Sequence, residues 1–238
     1  MLLKMDYLVR WEKIINMEYN FNDKNSNSIN NCNLVFDICD TLYYSNTTMD
    51  FCEYRSRGIK RKMLKISKSL LGKLLNKILL KFFNYDFIRI IHINTLKNIN
   101  IELLEKEAEY FVSNYLNSKK IKQAFNYLDR FDKNKIILVS ATIEPVAKAI
   151  AKSLGNLNYI ATSLNYEHNI CQGTIKEDLL GNKQKYFQNR KIDFIITDNK
   201  SDLELCKLSK EIVIVAKKKN ILFWKKQNIN ISKIIEVN

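Results

Sequence analysis

The stretch that decides the fold runs from Leu34 to Tyr43 and reads Leu-Val-Phe-Asp-Ile-Cys-Asp-Thr-Leu-Tyr. Its first three residues are apolar and Asp37 follows them at once, which is typical of a buried strand that brings a carboxylate to the edge of a sheet. In open α/β folds, ligands bind at the carboxyl ends of the strands. An aspartate there can act as a nucleophile, a metal ligand or a helix cap. The stretch therefore predicts a candidate functional site as well as a strand.

Four further apolar runs predict strands along the rest of the chain. They lie at residues 136–140, 159–162, 194–198 and 212–215, and helical patterns separate most of them. Residues 163–175 predict a β-excursion after the third strand. Because strands that alternate with helices form parallel sheets with right-handed crossovers, we expect an α/β fold with a Rossmann-like parallel sheet.

The helical pattern between the first two strands is far longer than a crossover needs. We therefore predict an inserted α-helical cap at residues 47–132, placed over the rim of an α/β core that comprises residues 33–46 and 133–238. Residues 1–32 predict a short amphipathic helix followed by an Asn-rich linker.

Three of the predicted strands end in polar side chains: Asp37 follows the first, Ser140 closes the second and Asp198 ends the fourth. The carboxyl ends of parallel strands lie at one edge of a sheet, so we expect these side chains to share one rim. A lone Asp or Ser after a strand is usually a helix cap or a turn residue. The functional prediction therefore depends on the ordered set.

This set resembles the motifs of the haloacid dehalogenase superfamily, and the run from Val139 to Pro145 resembles its phosphoserine-phosphatase-like branch. The first motif of that family is usually Asp-x-Asp-x-Thr/Val-Leu after a strand, and the fourth is Asp-x-x-x-Asp. The matching positions are Asp37 and Thr41 for the first motif, Ser140 for the second, Lys183 for the third with Lys185 as the fallback, and Asp198 and Asp202 for the fourth.

The resemblance implies a Mg²⁺-dependent phosphatase that acts on a small phosphorylated substrate through an aspartyl-phosphate intermediate. Its implied catalytic residues are Asp37 as the nucleophile, Ser140 as a donor to the phosphoryl group, and Lys183, which stabilises the developing charge. Thr41 joins Ser140 and Lys183 in binding the substrate. The implied metal ligands are Asp37, Asp198 and the backbone carbonyl of Cys39, with Asp202 in support.

Cys39 departs from this pattern because it stands where the first motif usually has its second aspartate. In the family that aspartate protonates the leaving alcohol and then activates water. A thiol with a reference pKa of about 8.5 is a poor base near neutral pH, and Asp40 points to the other side of an extended segment. Three interpretations stay open: a substrate with a good leaving group, an acid/base residue from elsewhere in the cap, or a weak or inactive protein that binds phosphate.

The segment between Tyr54 and Tyr85 contains ten Lys and Arg residues and no Asp or Glu, in a chain of net charge +14. Its apolar residues and its lysines fall toward different sides of the predicted helices. Residues 55–83 are therefore either a plain cap or a basic amphipathic surface for anionic lipid. The second interpretation implies a lipid-phosphate phosphatase similar to a phosphatidylglycerophosphatase of the same superfamily. Nucleic acid fits less well, because no recognition motif is present.

Several features indicate a cytoplasmic protein, peripheral at the inner membrane surface if the basic segment binds lipid. No run of eighteen apolar residues is present, and residues 1–6 lack the apolar core and cleavage site of a signal peptide. The five cysteines are scattered and odd in number, which favours reduced thiols over a disulfide framework or a zinc site.

Overall fold

A seven-stranded sheet forms the centre of the computed structural model, which describes residues 32–83, 86–188 and 190–237. The strands span Leu34–Phe36 (β1), Ile136–Ile143 (β2), Asn158–Glu167 (β3), Ile170–Glu177 (β4), Ile192–Thr197 (β5), Ser209–Lys217 (β6) and Ile231–Val237 (β7). Their order is β4-β3-β2-β1-β5-β6-β7, and every neighbouring pair is parallel except the β3–β4 hairpin. The predicted α/β class with a Rossmann-like sheet is confirmed. The helix predicted within residues 1–20 lies outside the described residues.

The α-helices of the described residues are Thr47–Arg55 (α1), Gly58–Ser67 (α2), Leu70–Phe83 (α3), Phe87–Asn94 (α4), Ile101–Asn114 (α5), Lys122–Leu128 (α6), Glu144–Ser153 (α7), Leu203–Lys207 (α8) and Lys218–Lys225 (α9). The first six lie between β1 and β2, where the sequence predicts the cap. None of these helices is long and apolar enough to cross a bilayer.

The central strands β1, β2 and β5 are buried on both faces because they are almost continuously apolar. Successive residues of a strand point to opposite faces, and the two hydrophobic clusters divide accordingly. Phe36 and Leu138 pack on one face with side chains of the helical insertion, whereas Val35 and Val139 pack on the other with Trp224. The helical insertion and the sheet therefore share one core, while the predicted division into cap and core domains stays a prediction.

β1 lies at the point where the strand order reverses, between β2 and β5. In doubly wound sheets the crevice at this switch point is where ligands bind. β1 pairs with β2 as far as Phe36 and Leu138, and with β5 as far as Phe36 and Ile196. The residues that follow these pairs form the rim of the crevice.

Two elements differ from the strand predictions. β2 does not end at Ser140 but continues to Ile143, after an irregularity in its register with β3. No predicted strand corresponds to β7. Lys233 and Glu236 interrupt its apolar residues, and it pairs with β6 only. The predicted β-excursion at residues 163–175 corresponds to the end of β3 and most of β4.

Candidate active site

Asp37 lies at the carboxyl end of β1 and is almost fully buried, with 4% of its surface exposed. Its backbone N–H donates to the carbonyl of Ile196 at 3.0 Å, which continues the β1–β5 ladder by one residue. Its Oδ1 accepts a hydrogen bond from the backbone N–H of Ile38 at 2.7 Å. The carboxylate is therefore fixed in one orientation by the strand that carries it.

Lys183 provides the positive charge beside this carboxylate. It begins a short 3-10 helix, Lys183–Phe187, and its Nζ lies 3.0 Å from Asp37 Oδ2 and 2.8 Å from Asp202 Oδ2. Burial alone would lower the pKa of Lys183, but the two carboxylates raise it above its usual value, so the ammonium stays charged. Lys185, the fallback, is exposed. The structure thus places Lys183, and not Lys185, against the predicted nucleophile.

Asp198 follows β5 and is held by Thr41 from the loop after β1. Thr41 Oγ1 donates to Asp198 Oδ1 at 3.3 Å and accepts from the Asp198 backbone N–H at 2.9 Å. Burial and the nearby charges of Asp37 and Asp40 raise the pKa of Asp198 to about 8. The hydroxyl of Thr41 is thus engaged with Asp198, whereas the sequence predicts it as a substrate contact.

Asp202 is buried behind Lys183. Its Oδ2 accepts from Lys183 Nζ and, at 2.7 Å, from Thr197 Oγ1, while its Oδ1 is buried without a hydrogen-bond partner among the described residues. These contacts hold the ammonium group of Lys183 in place toward Asp37. The predicted part of Asp202 in supporting a metal stays a prediction.

Ser140 belongs to a chain of hydroxyl groups that ends at the Cys39 thiol. Ser140 Oγ lies 3.0 Å from Thr142 Oγ1, which lies 2.6 Å from Thr47 Oγ1. Cys39 Sγ lies 3.0 Å from Thr47 Oγ1 and 3.2 Å from Thr142 Oγ1. Burial and the charge of Asp37 raise the pKa of the thiol above its usual value. Cys39 is therefore hydrogen-bonded within the site.

A pocket of about 260 Å³ opens between the rim and the helical insertion. Its described lining includes Asp37, Cys39, Ser140, Lys183 and Asp198 from the core, so it brings together most of the predicted site residues. From the helical insertion it includes Thr48, Met49, Asp86 and Arg89, and Asn46 just before α1 also lines it. Thr41 and Asp202 support this lining and are not part of it.

The sequence did not single out Arg89. It lies on α4, donates from Nη1 to Asp178, and donates from Nη2 to the carbonyl of Ala141 at 2.9 Å and to Thr162 Oγ1 at 3.2 Å. An arginine buried on a largely apolar helix needs such partners, and Asp86 caps that helix by accepting from the Arg89 N–H at 3.1 Å. The feature of the sequence that could have pointed to Arg89 is its charge within the largely apolar run 87–93.

The carboxylates at the rim outnumber the cations that neutralise them. Asp37 and Asp202 are buried there and Asp198 is half-buried, and among the described residues Lys183 is the one cation that forms an ion pair with Asp37 and with Asp202. Among the described residues, no three His, Cys, Asp or Glu side chains are grouped so as to hold a metal by themselves. Mg²⁺ needs fewer protein ligands than three, because it is usually bound by one or two carboxylates together with water and substrate phosphate. The buried carboxylate of Asp37 and the half-buried carboxylate of Asp198 fit such a cation.

The comparisons with known proteins confirm the fold. No family model and no curated sequence matches the chain. A solved protein of unknown function from Bordetella pertussis Tohama I has a TM-score of 0.63 at 17% identity, covering 85% of this chain and 96% of its own.

Two further solved structures are similar. A HAD family hydrolase, t0658, from Salmonella enterica serovar Typhi has a TM-score of 0.57 at 15% identity, covering 86% of this chain and 67% of its own. A phosphoserine phosphatase, solved as a phospho-aspartyl intermediate analogue, has a TM-score of 0.50 at 16% identity. The match covers 86% of this chain and 93% of the phosphatase chain. Together with the ordered rim residues, these likenesses show that the chain has the fold of the haloacid dehalogenase hydrolases.

Proposed function

We propose that this chain is a phosphomonoester hydrolase in which Asp37 is the nucleophile. The observation that carries the proposal is the contact between Asp37 Oδ2 and Lys183 Nζ at 3.0 Å, at the rim of a pocket that also contains Ser140. A buried carboxylate beside a buried ammonium, at the switch point of a doubly wound sheet, is suited to attack an anionic group that the ammonium binds.

The proposed reaction has two steps. A carboxylate oxygen of Asp37 attacks phosphorus, the bond between phosphorus and the ester oxygen breaks, and the alcohol leaves with a proton from solvent. Water then attacks phosphorus, the bond to Asp37 breaks, and inorganic phosphate leaves while the proton of the water passes to solvent. Lys183 and Ser140 bind phosphoryl oxygens in both steps, where charge develops.

Asp37 and Asp198 would hold Mg²⁺, together with the backbone carbonyl of Cys39. When bound, the cation would offset the charge of the phosphate dianion, which otherwise repels the Asp37 carboxylate. Thr41 orients Asp198 for this role, since its hydroxyl bonds both the side chain and the backbone of that residue.

Cys39 limits the substrates that the site would turn over. Its thiol is hydrogen-bonded to Thr47 and Thr142 and offers no carboxylic acid to the leaving group. We therefore expect faster hydrolysis of aryl phosphates, whose leaving groups need little protonation, than of alkyl phosphates.

Turnover of p-nitrophenyl phosphate with and without Mg²⁺ tests the proposal. We expect turnover that depends on Mg²⁺ and that Asp37→Asn abolishes, while Lys185→Ala, which changes an exposed lysine two residues from Lys183, leaves it unchanged. Equal rates for wild type and Asp37→Asn would overturn the proposal.

A second candidate function is phosphate-ester binding without turnover, and Cys39 is the observation that favours it. Calorimetry with a phosphate ester in the presence of Mg²⁺ separates the two functions. Stable binding with no release of inorganic phosphate fits the binding protein only.

A further inference from the structure

Exposed apolar side chains are concentrated on α2 and α3. Eleven of the eighteen large apolar side chains that are exposed in the described residues lie at positions 59–83. They are Ile59, Met63, Ile66, Leu70, Leu71, Leu74, Leu75, Ile78, Leu80, Phe82 and Phe83, with exposed fractions from 40% to 87%. Single exposed apolar residues are ordinary, but clusters of this kind mark interaction sites. We call these exposed side chains of residues 57–83, both apolar and basic, the α2–α3 surface.

α3 contacts the rest of the protein through a narrow, partly polar face. Its half-buried residues are Gly72, Asn76 and Leu79, and no residue of the helix is buried. Asn76 donates from Nδ2 to Asp86 Oδ1 at 3.2 Å and accepts from the Ile88 N–H at 3.0 Å. The apolar residues of the outer face recur at three- and four-residue steps: Leu71, Leu74, Leu75, Ile78 and Phe82. The helix is thus amphipathic, with its apolar stripe away from the protein.

The charge of the α2–α3 surface is not compensated within the described residues. Of the ten basic residues between 54 and 85, only Arg55 and Lys68 have a carboxylate partner there, Glu107 and Glu53 respectively. The other eight form no ion pair in that part of the chain: Arg57, Lys60, Arg61, Lys62, Lys65, Lys73, Lys77 and Lys81. On α3, the lysines at 73, 77 and 81 recur every four residues and form a strip along the apolar stripe.

We propose that the α2–α3 surface docks the protein on an anionic membrane surface. The apolar stripe would enter the boundary between headgroups and acyl chains, and the lysines would bind acidic headgroups. A second copy of the chain would bring eight uncompensated cations on each side together, which like-charge repulsion opposes. A nucleic acid would bind the lysines but leave the leucines in water. A bilayer of acidic lipid accommodates both features.

Docking would place the candidate active site at the bilayer. Asn76 of α3 forms hydrogen bonds with Asp86 and with the backbone N–H of Ile88 at the start of α4. Asp86 and Arg89 in turn line the pocket. Resting on the proposed function, the favoured substrate class is then a phosphomonoester that is itself anchored in the membrane. Docking is measured without turnover, so its failure and the failure of the phosphatase proposal are distinguishable.

Flotation of the full chain with vesicles tests the docking. We expect binding to vesicles of equal parts phosphatidylcholine and phosphatidylglycerol, little binding to pure phosphatidylcholine, and weakening as salt increases. Replacing Lys73, Lys77 and Lys81 by Glu should weaken partition on the order of a hundredfold or more. Replacing Leu71, Leu74 and Ile78 by Ser should also release the protein, because these side chains are exposed and belong to neither hydrophobic core cluster.

The matched control reverses three exposed lysines of α9, Lys218, Lys219 and Lys225, which gives the same change in net charge. Binding should survive this change. Equal binding to both vesicle types, no binding to either, or equal loss in the α3 and α9 charge variants would overturn the proposal. The proposal would also be overturned if the wild type did not bind vesicles but formed a dimer in solution, and the variant with Ser at positions 71, 74 and 78 did not form that dimer. If a variant fails to fold, the dependence of wild-type vesicle binding on salt and on acidic lipid still tests the proposal.

Discussion

The thiol of Cys39 lies 3.0 Å from Thr47 Oγ1 and 3.2 Å from Thr142 Oγ1, two hydroxyl groups that can also donate to a carboxylate. An aspartate at this position would therefore find hydrogen-bond donors already in place. We predict that Cys39→Asp raises kcat with Mg²⁺ by roughly a hundredfold, since a positioned acid/base contributes 10²–10⁴. The gain should be larger for an alkyl phosphate than for p-nitrophenyl phosphate, because the alkyl leaving group needs the proton more.

Cys39→Asn is the matched control for this prediction. It has the shape of aspartate and hydrogen-bonding capacity for the same threonines, but it is neither acid nor base. If both variants gain equally, the improvement comes from packing or polarity and not from proton transfer. If neither gains, acid–base chemistry at residue 39 is not what limits the site.

The strand pattern predicted Asp37, Ser140 and Asp198 on one rim, the resemblance added Lys183 with Lys185 as the fallback, and the structure brings Asp37, Ser140, Lys183 and Asp198 to one pocket. Asp37, Ser140 and Asp198 follow or lie within strands that the hydrophobic pattern predicts, so their order along the chain was informative. Arg89 and Thr142 could not be found in this way. Their partners, Asp178 and Cys39, are distant in sequence, and only the packing of helices on the sheet brings them together.

α4 is joined to the sheet by Arg89, whose guanidinium bonds the Ala141 carbonyl, Thr162 and Asp178. We predict that Arg89→Met lowers the free energy of unfolding by about 2 kcal/mol, because it leaves the carbonyl and the carboxylate without their charged donor. Urea denaturation measures this loss. Arg61→Met, at an exposed arginine of α2, should stay within about 0.5 kcal/mol of wild type. A similar stability for both variants would show that Arg89 does not join the helix to the sheet.

α3 is joined to α4 by Asn76 more than by apolar burial. We predict that Asn76→Ala speeds hydrogen exchange at the start of α4, since the Ile88 N–H loses its acceptor and Asp86 loses a donor. The local cost should be about 1–2 kcal/mol. Lys77→Ala, on the neighbouring exposed position, should leave exchange unchanged. Unchanged exchange in Asn76→Ala would mean that other contacts hold the two helices together.

Strands and helices were predictable to different degrees. The buried runs of β1, β2 and β5 are continuous, and the structure contains each of them. β7 is an edge strand with polar residues among its isoleucines, so it lacks the continuous pattern of a buried strand. For α3, periodicity predicted an amphipathic helix but not which face is covered. That depends on where α4 lies, and the structure shows the apolar stripe outward.

Across the molecule, positive and negative charge are separated. Basic residues without carboxylate partners, among those described, cover α2 and α3, whereas three carboxylates lie at the rim, where Asp37 and Asp202 are buried beside Lys183 and Asp198 is half-buried. Charge patterning alone predicted the first feature. For the second, the sequence predicted Asp37 and Asp198 at one rim, but that they lie on neighbouring strands follows from the strand order, because β1 and β5 are neighbours in space and far apart in the chain.

The Mg²⁺ site proposed at the rim predicts that this cation stabilises the whole fold. We predict that Mg²⁺ at a hundredfold excess over its Kd stabilises the protein by about 2.7 kcal/mol. For a chain of this size that corresponds to a rise in Tm of roughly 5–10 °C. Thermal unfolding with and without Mg²⁺ measures the shift, and Na⁺ at equal ionic strength controls for screening.

The variant Asp198→Asn tests whether the Mg²⁺ that stabilises the protein binds at the rim. The amide replaces a carboxyl group whose charged form burial and the charge of Asp37 disfavour, so the variant should be at least as stable as wild type without Mg²⁺ and should gain little when Mg²⁺ is added. Asp129→Asn, at an exposed aspartate of the insertion, should keep the full Mg²⁺ shift. An Asp198→Asn protein that Mg²⁺ still stabilises as much as wild type would place the cation elsewhere. Loss of the shift in Asp198→Asn alone would locate it at the rim, independently of any turnover, because the measurement reports binding to the folded state only.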